Sequence, residues 1–193
     1  MNIYSYIAEV TLEGDDDLND FFNEALKKVF SLSYYNKIED IIKDKIKLIY
    51  YNDPKDFTTA YVKQGNNKLI YINRYYFDRL PKDKKIEFLV HEFFHILQQT
   101  KSFLFIRKFK ELIDLEQKVK KIIEFYLTGS ITAFLTGQSK ETISPENEIL
   151  SYIIGSRSAD WSKIKPKGKE EIRKVLEESG LFNTSSDYWK KIF

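Results

Sequence analysis

The residues best suited to chemistry in this sequence lie together in the run His91-Glu92-Phe93-Phe94-His95. Two histidines four residues apart lie on one face of a helix, about one turn apart, so their imidazoles can reach a single Zn²⁺. Glu92 would lie beside the metal without having to bind it. In an H-E-x-x-H motif this glutamate is the general base that takes a proton from the water that the zinc activates. The motif therefore predicts a zinc site with a catalytic carboxylate.

The alternative interpretation is a pair of core histidines with satisfied hydrogen bonds. The chain has 2 histidines in all, and both fall in this motif. One face of the surrounding helix is apolar and the histidines lie on another, which is typical of the central helix of a zinc cleft. The apolar stripe consists of Ile86, Leu89, Val90, Phe93 and Leu97, and the other face carries Phe88, His91, Glu92, His95 and Gln99.

A third metal ligand must come from a carboxylate or from another molecule. A catalytic zinc usually takes three protein ligands and leaves its fourth position to water. Both histidines are used and the chain has no cysteine. Glu111, Glu116 and Glu124 lie among lysines, which predicts surface charges on a solvated helix. The full set of candidates downstream is Glu111, Asp114, Glu116, Glu124, Glu141, Glu146 and Glu148.

The segment 145–155 is the best source of this ligand. It is apolar apart from its carboxylates, and it opens with a proline, which suits a helix start. A carboxylate on a buried helix needs a partner. Glu148 shares its helix face with Ser151 and Tyr152, so we favour it over Glu146. Glu146 remains an alternative ligand. Its other interpretation is a charge at the N-terminus of the helix.

The elements that must position these residues follow from the hydrophobic periodicity. The order is helices, then a small sheet, then helices, which indicates a single α+β domain over residues 1–193. Its parts are N-terminal helices in 1–45, a sheet plus the zinc helix in 46–100, and in 101–193 a helical lower part with the glutamate helix and the C-terminal tail. The predicted strands are 46–51 and a hairpin of 58–63 with 68–73, and the predicted helices after the sheet are 83–100, 103–127, 145–158 and 168–178.

Composition narrows the class of protein. The 31 basic residues nearly cancel the 29 acidic ones, so there is no electrostatic signature for nucleic acid or an anionic membrane. The N-terminus lacks the features of a signal peptide, and no apolar run approaches the roughly 20 residues that a membrane span needs. We therefore expect a cytoplasmic protein with no nucleic-acid or membrane partner. The last residues, 188–193, are too apolar for a free tail and are predicted to dock on the body, where they could also plug the cleft.

On these residues the chain resembles the gluzincin clan of zinc metallopeptidases, and it is similar to the minimal archaeal members called minigluzincins. The resemblance rests on His91–His95 with Gln98 or Gln99 beyond it, and on a Pro-opened helix in which Ser151 follows Glu148 by three residues. It covers roughly residues 45–158. It implies a small twisted sheet over the zinc helix, with the glutamate helix below and one Zn²⁺ per chain.

The resemblance also implies the activity, which is hydrolysis of peptide bonds in a peptide or protein substrate. The substrate would add as a strand to the sheet edge, and the hairpin places it beside Lys68–Asn73. Many gluzincins have an acidic residue four positions after the ligand glutamate, where this chain has Tyr152. A tyrosine hydroxyl orients the first histidine less firmly than a carboxylate does. The candidates for stabilising the oxyanion are Tyr152, Arg157, Tyr71, Tyr75 and Tyr76.

Two further hypotheses belong to other classes. In the first, the chain is a zinc-binding protein of the same fold that is latent or inactive and acts as an interaction module. In the second, it is a metal-free helical interaction protein with incidental histidines. Glu92 favours the enzyme over the first of these, because a structural zinc site has no use for a carboxylate there. A zinc assay on the purified protein separates the second from the other two.

Overall fold

The computed structural model describes residues 16–62, 69–99, 110–136, 148–155 and 159–193. Within them the fold is α+β, as the sequence predicts. The first helices and the strands are α1 (Asp16–Val29), α2 (Leu32–Lys45), β1 (Lys47–Tyr51), β2 (Ala60–Val62), β3 (Leu69–Asn73) and α3 (Arg74–Phe77). They are followed by α4 (Lys82–Gln99), α5 (Lys110–Tyr126), α6 (Ile131–Thr136), α7 (Ile149–Gly155) and α8 (Pro166–Ser179), with short 3₁₀ turns at Trp161–Lys163 and Trp189–Lys191.

The sheet has three strands in the order β1-β3-β2. β2 is antiparallel to β3, which confirms the predicted hairpin, and β1 is parallel to β3. β3 is therefore the central strand. The prediction that a substrate pairs beside Lys68–Asn73 is wrong for the centre of that segment, because the backbone of residues 70–72 already pairs with β1 on one side and β2 on the other. Lys68 itself lies outside the described residues.

The helix α4 runs through the centre of the molecule. α1 and the sheet pack against it, and so does α7. Phe93 anchors the side facing α1, where its ring meets Phe22 edge-on at 5.7 Å between ring centroids. Because α4 is covered on more than one side, its histidine face is buried as well as its apolar stripe, and His91 is 2% exposed. α4 has 18 residues, yet neither it nor any other helix in the described ranges is long and apolar enough to cross a membrane.

The C-terminal tail docks on the body, which confirms the prediction. Trp189 is fully buried, and its indole N–H donates to the carbonyl of Val29 at 3.0 Å. Its ring also meets Phe182 edge-on, with the centroids 5.4 Å apart. The tail is thus a part of the hydrophobic core and not a free extension.

Candidate metal centre

Three donor atoms converge where α4 meets the start of α7. His91 Nε2 lies 3.1 Å from His95 Nε2, and Glu148 Oε2 lies 3.3 Å from His95 Nε2 and 3.6 Å from His91 Nε2. Zinc binds imidazole nitrogen and carboxylate oxygen at about 2.0–2.2 Å, so two ligands on a regular tetrahedron are about 3.3–3.6 Å apart. The triangle of donor atoms therefore has nearly the size of one face of a zinc coordination tetrahedron.

The kind of donor and its burial also suit a metal ion. Two imidazoles with one carboxylate form a set that is typical of catalytic zinc, in which the fourth position is left to water. The side chain of His91 is 3% exposed, that of His95 14% and that of Glu148 26%. The centre is therefore closed on the His91 side and open on the other. Among the described residues, this is the group whose donor atoms lie close enough to share an ion.

α4 supplies both histidines and the candidate base from one unbroken helix. The two imidazole rings meet edge-on, with centroids 4.8 Å apart, as expected for residues one turn apart on the same face. Glu92 follows His91 and is 4% exposed. A carboxylate at this depth costs free energy unless it is hydrogen-bonded or paired with an opposite charge. Its position next to the first ligand is the one that the motif predicts for the general base.

α7 presents the third ligand from its first turn. Glu148 directly precedes Ile149, the first helical residue, and its carbonyl accepts from the Tyr152 N–H at 2.9 Å. The hydroxyl of Ser151 donates to the same carbonyl at 2.8 Å and lies 3.4 Å from Glu148 Oε2. Ser151 therefore restrains both the backbone and the carboxylate of Glu148. The helix start that the sequence predicts at Pro145 lies outside the described residues, as do Glu141 and Glu146.

A second buried carboxylate holds the start of α7 from the neighbouring helix. Glu116 Oε1 on α5 accepts from the Leu150 N–H at 3.3 Å, and Glu116 is 5% exposed. The prediction of a surface charge at this position is wrong. Glu116 lies on the buried face of α5, between Leu112 and Val119 in the helical repeat. The spacing of Glu116 from Leu112 and Val119 could have predicted its burial from the sequence. The neighbouring lysines favoured the opposite interpretation, a solvated helix face.

Gly155 sets the distance between α7 and α4. A Cβ atom at this position would lie 3.0 Å from His91 Cβ and 3.1 Å from the Glu87 carbonyl oxygen. Contacts that short are tighter than ordinary packing allows, so any larger residue would push the two helices apart. A glycine at the end of an apolar helical run indicates a close approach of another element. The sequence does not predict that this element is α4.

Tyr152 packs directly on the first histidine. The two rings are edge-to-face, with centroids 4.7 Å apart and planes at 79°. This contact restrains the plane of the His91 imidazole. The hydroxyl of Tyr76 donates to the carbonyl of Pro54 at 2.9 Å, so it has another role. Arg157, a further candidate for the oxyanion, lies outside the described residues.

The other two tyrosine candidates are also engaged away from the centre. Tyr71 stacks on Tyr61 across the sheet, with centroids 5.0 Å apart. Tyr75 lies under the guanidinium of Arg79, 3.8 Å from its ring centroid. Of the candidates that the structure describes, Tyr152 is thus the one that contacts a residue of the candidate centre.

Comparison with known proteins adds no relative: no family model, curated protein or solved structure matches this chain. The resemblance to gluzincins therefore stays a prediction carried by the motif and its spacing. A function for the chain has to be inferred from its own residues and from the geometry of the candidate centre.

Proposed function

We propose that this chain is a zinc-dependent peptidase with a zincin-like fold of the gluzincin type. The observation that carries the proposal is the triangle of donor atoms from His91, His95 and Glu148, with edges of 3.1, 3.3 and 3.6 Å. These three residues are the two histidines of an H-E-x-x-H motif and a downstream glutamate. Two histidines and one glutamate are the zinc ligands of several zinc peptidases. The arrangement of α4 below a small sheet and against α7 supports the same assignment.

The residues around the centre suit hydrolysis of an amide. A zinc ion bound at these donor atoms would supply a Lewis acid that lowers the pKa of water. Glu92 takes a proton from the attacking water on its carboxylate and passes it to the nitrogen of the leaving amine. His91, His95 and Glu148 would hold the ion. Tyr152 holds the His91 ring and remains our candidate for the group that contacts the oxyanion.

The sheet offers a place for an extended peptide. Among the described strands, β2 (Ala60–Val62) pairs with β3 on one side and has its other edge without a strand. β2 also packs on α4, the helix that carries the histidines. A peptide that pairs with the free edge of β2 would extend the sheet that packs on α4 and gain main-chain hydrogen bonds without regard to its sequence. This supports an endopeptidase with a peptide or protein substrate.

The decisive experiment replaces Glu92 by glutamine. Gln has the same shape and still forms hydrogen bonds, but it cannot accept the proton, so Glu92→Gln should keep zinc and fold while cleavage falls by roughly 10²–10⁴-fold. Cleavage is followed on a library of quenched fluorescent peptides, with zinc measured in each preparation. Glu124→Gln, on an exposed position of α5, is the matched control and should cleave like the wild type.

The outcomes separate the hypotheses. Equal cleavage by wild type and Glu92→Gln defeats the mechanism and points to a contaminating protease. Zinc at full occupancy without cleavage by any variant favours the alternative, a latent or inactive zinc protein that acts as an interaction module. The observation that favours this alternative is Tyr152, whose aromatic ring contacts His91 at a position where many gluzincins have a carboxylate.

A further inference from the structure

A cavity in the described structure is lined by residues outside the candidate metal centre. It is a cavity of about 550 Å³ between α1, the first turns of α4 and the C-terminal tail, a volume within the range of small-molecule sites. None of its lining residues belongs to the candidate centre. The lining consists of Phe21, Glu24, Ala25, Lys28, Lys82, Asp83, Ile86, Glu87, Asp187, Tyr188 and Lys191.

The wall of this cavity is largely apolar. Phe21 and Ala25 come from α1, Ile86 from α4, and Tyr188 from the tail. The hydroxyl of Tyr188 donates to the carbonyl of Ile154, so it already has a protein partner and its ring is what remains for a ligand. A wall of this kind suits a short alkyl chain or a ring.

Most carboxylates of the lining already have a cation. Glu24 pairs with Lys27, Asp187 with Lys190, and the buried Glu87 with Lys84. Asp83 is the lining carboxylate for which the described residues show no ion pair. The acidic side of the rim is therefore mostly neutralised by lysines that do not line the cavity.

The lysines of the lining, in contrast, form no direct ion pair within the described residues. Lys28, Lys82 and Lys191 are exposed, and in the described part of the chain no carboxylate lies within salt-bridge distance of them. The ammonium of Lys82 lies 3.7 Å from the ring centroid of Phe21, which places a positive charge over the apolar wall. Three ammonium groups thus line an apolar cavity without a direct ion pair among the described residues, although at longer range Lys28 is attracted by Glu24 and Asp187, and Lys191 by Glu87.

We propose that this cavity binds a small amphipathic anion, namely a carboxylate on a short apolar chain. The apolar part lies along Phe21, Ile86 and Tyr188, and the carboxylate is held at the rim by Lys28 and Lys191. Charge complementarity selects this class over cationic and neutral ligands of the same shape. The site does not depend on the metal, although α4 contributes to both places.

Isothermal titration calorimetry on the full chain tests the proposal with three probes of equal length, octanoate, octanol and octylammonium. Octanoate should bind most tightly, and octylammonium should not bind. In the double variant Lys28→Gln with Lys191→Gln, each lost lysine should weaken octanoate roughly twofold to fivefold, the range for exposed ion pairs. Lys165→Gln with Lys167→Gln is the matched control, because these lysines are exposed, carry the same charge and lie outside the cavity.

Three results would overturn the proposal: no octanoate binding at millimolar concentration, equal binding of octylammonium, or an equal loss in the control double variant. Ile86→Trp should narrow the cavity and weaken octanoate binding. If that variant does not fold, the lysine variants still decide, because their side chains are exposed. His95→Ala should lose zinc and keep octanoate, so failure of the metal site and failure of this cavity give different results.

Discussion

The two histidine ligands of the candidate centre have no substitute elsewhere in the sequence. The sequence contains no other histidine and no cysteine, and the Glu116 carboxylate, which also reaches α7, accepts from the backbone N–H of Leu150. A histidine lost from the triangle leaves two donors, which is too few for a catalytic zinc site.

Zinc content tests this dependence. His91→Ala and His95→Ala should each abolish zinc that co-purifies at one ion per chain, because each removes one of three ligands. Glu148→Gln keeps the shape but removes the charge, so zinc should be lost to a weaker chelator than in the wild type. Plasma emission spectrometry measures the metal, and a chelator series ranks the variants. Equal zinc in the wild type and both alanine variants would rule out this centre.

At the scale of helices, the distance between α7 and α4 at their crossing determines whether the donor atoms of Glu148 and the two histidines come close enough to share an ion. A methyl group at Gly155 would lie 3.0 Å from His91 Cβ. Gly155→Ala should therefore separate the helices and weaken zinc binding by roughly tenfold or more, with a stability loss of about 1–3 kcal/mol from overpacking. Chelator competition and urea unfolding give the two quantities.

A close approach elsewhere in the fold supplies the control for that variant. A Cβ at Gly168 on α8 would lie 2.5 Å from Tyr126 Cβ, remote from the centre. Gly168→Ala should lose stability by a similar mechanism but keep the wild-type affinity for zinc. If both variants lose zinc in proportion to their loss of stability, the crossing at Gly155 has no special effect on the centre.

The contact from α5 to α7 gives an independent test at the same scale. Glu116→Leu removes the acceptor of the Leu150 N–H, so the first turn of α7 should loosen and the affinity for zinc should fall roughly tenfold. Glu116→Gln retains an acceptor oxygen and should stay close to wild type. Chelator competition compares the two variants. Equal affinities would show that the hydrogen bond does not position Glu148.

The elements themselves were largely predictable from sequence, because each depends on local pattern. The helix over 83–100 and the strand over 46–51 follow from periodicity, from Pro81 before the helix and from Pro54 after the strand. The order of strands does not, because a hairpin fixes the pairing of β2 with β3 but not the side on which β1 adds. The burial of Glu116 and the close contact of Gly155 with α4 depend on how helices cross. The distance between two crossing helices cannot be read from a local sequence pattern.

Over the whole molecule, the C-terminal tail links parts that are far apart in sequence. Trp189 reaches Val29 at the end of α1, and Tyr188 reaches Ile154 on the helix that follows the third ligand. The ring of Phe193 stacks on Trp189 and meets Trp161 edge-on. A tail held in this way contributes to the stability of the fold. Its removal therefore removes core contacts as well as any blocking of the cleft.

Deletion of residues 184–193 should therefore destabilise the protein instead of releasing activity. Truncation of a buried tryptophan to alanine typically costs about 3–5 kcal/mol, a large part of the roughly 5–15 kcal/mol that stabilises a domain. Trp189→Ala alone should lower the urea midpoint clearly, and the deletion should lower it further. Tyr188→Phe is the milder companion, since it keeps the ring and removes only the hydroxyl that donates to Ile154. Urea unfolding and peptide cleavage are measured on all three variants. A deletion variant that is as stable as the wild type and cleaves peptides faster would contradict this view, because the tail would then act as a removable plug of the cleft and not as a part of the core.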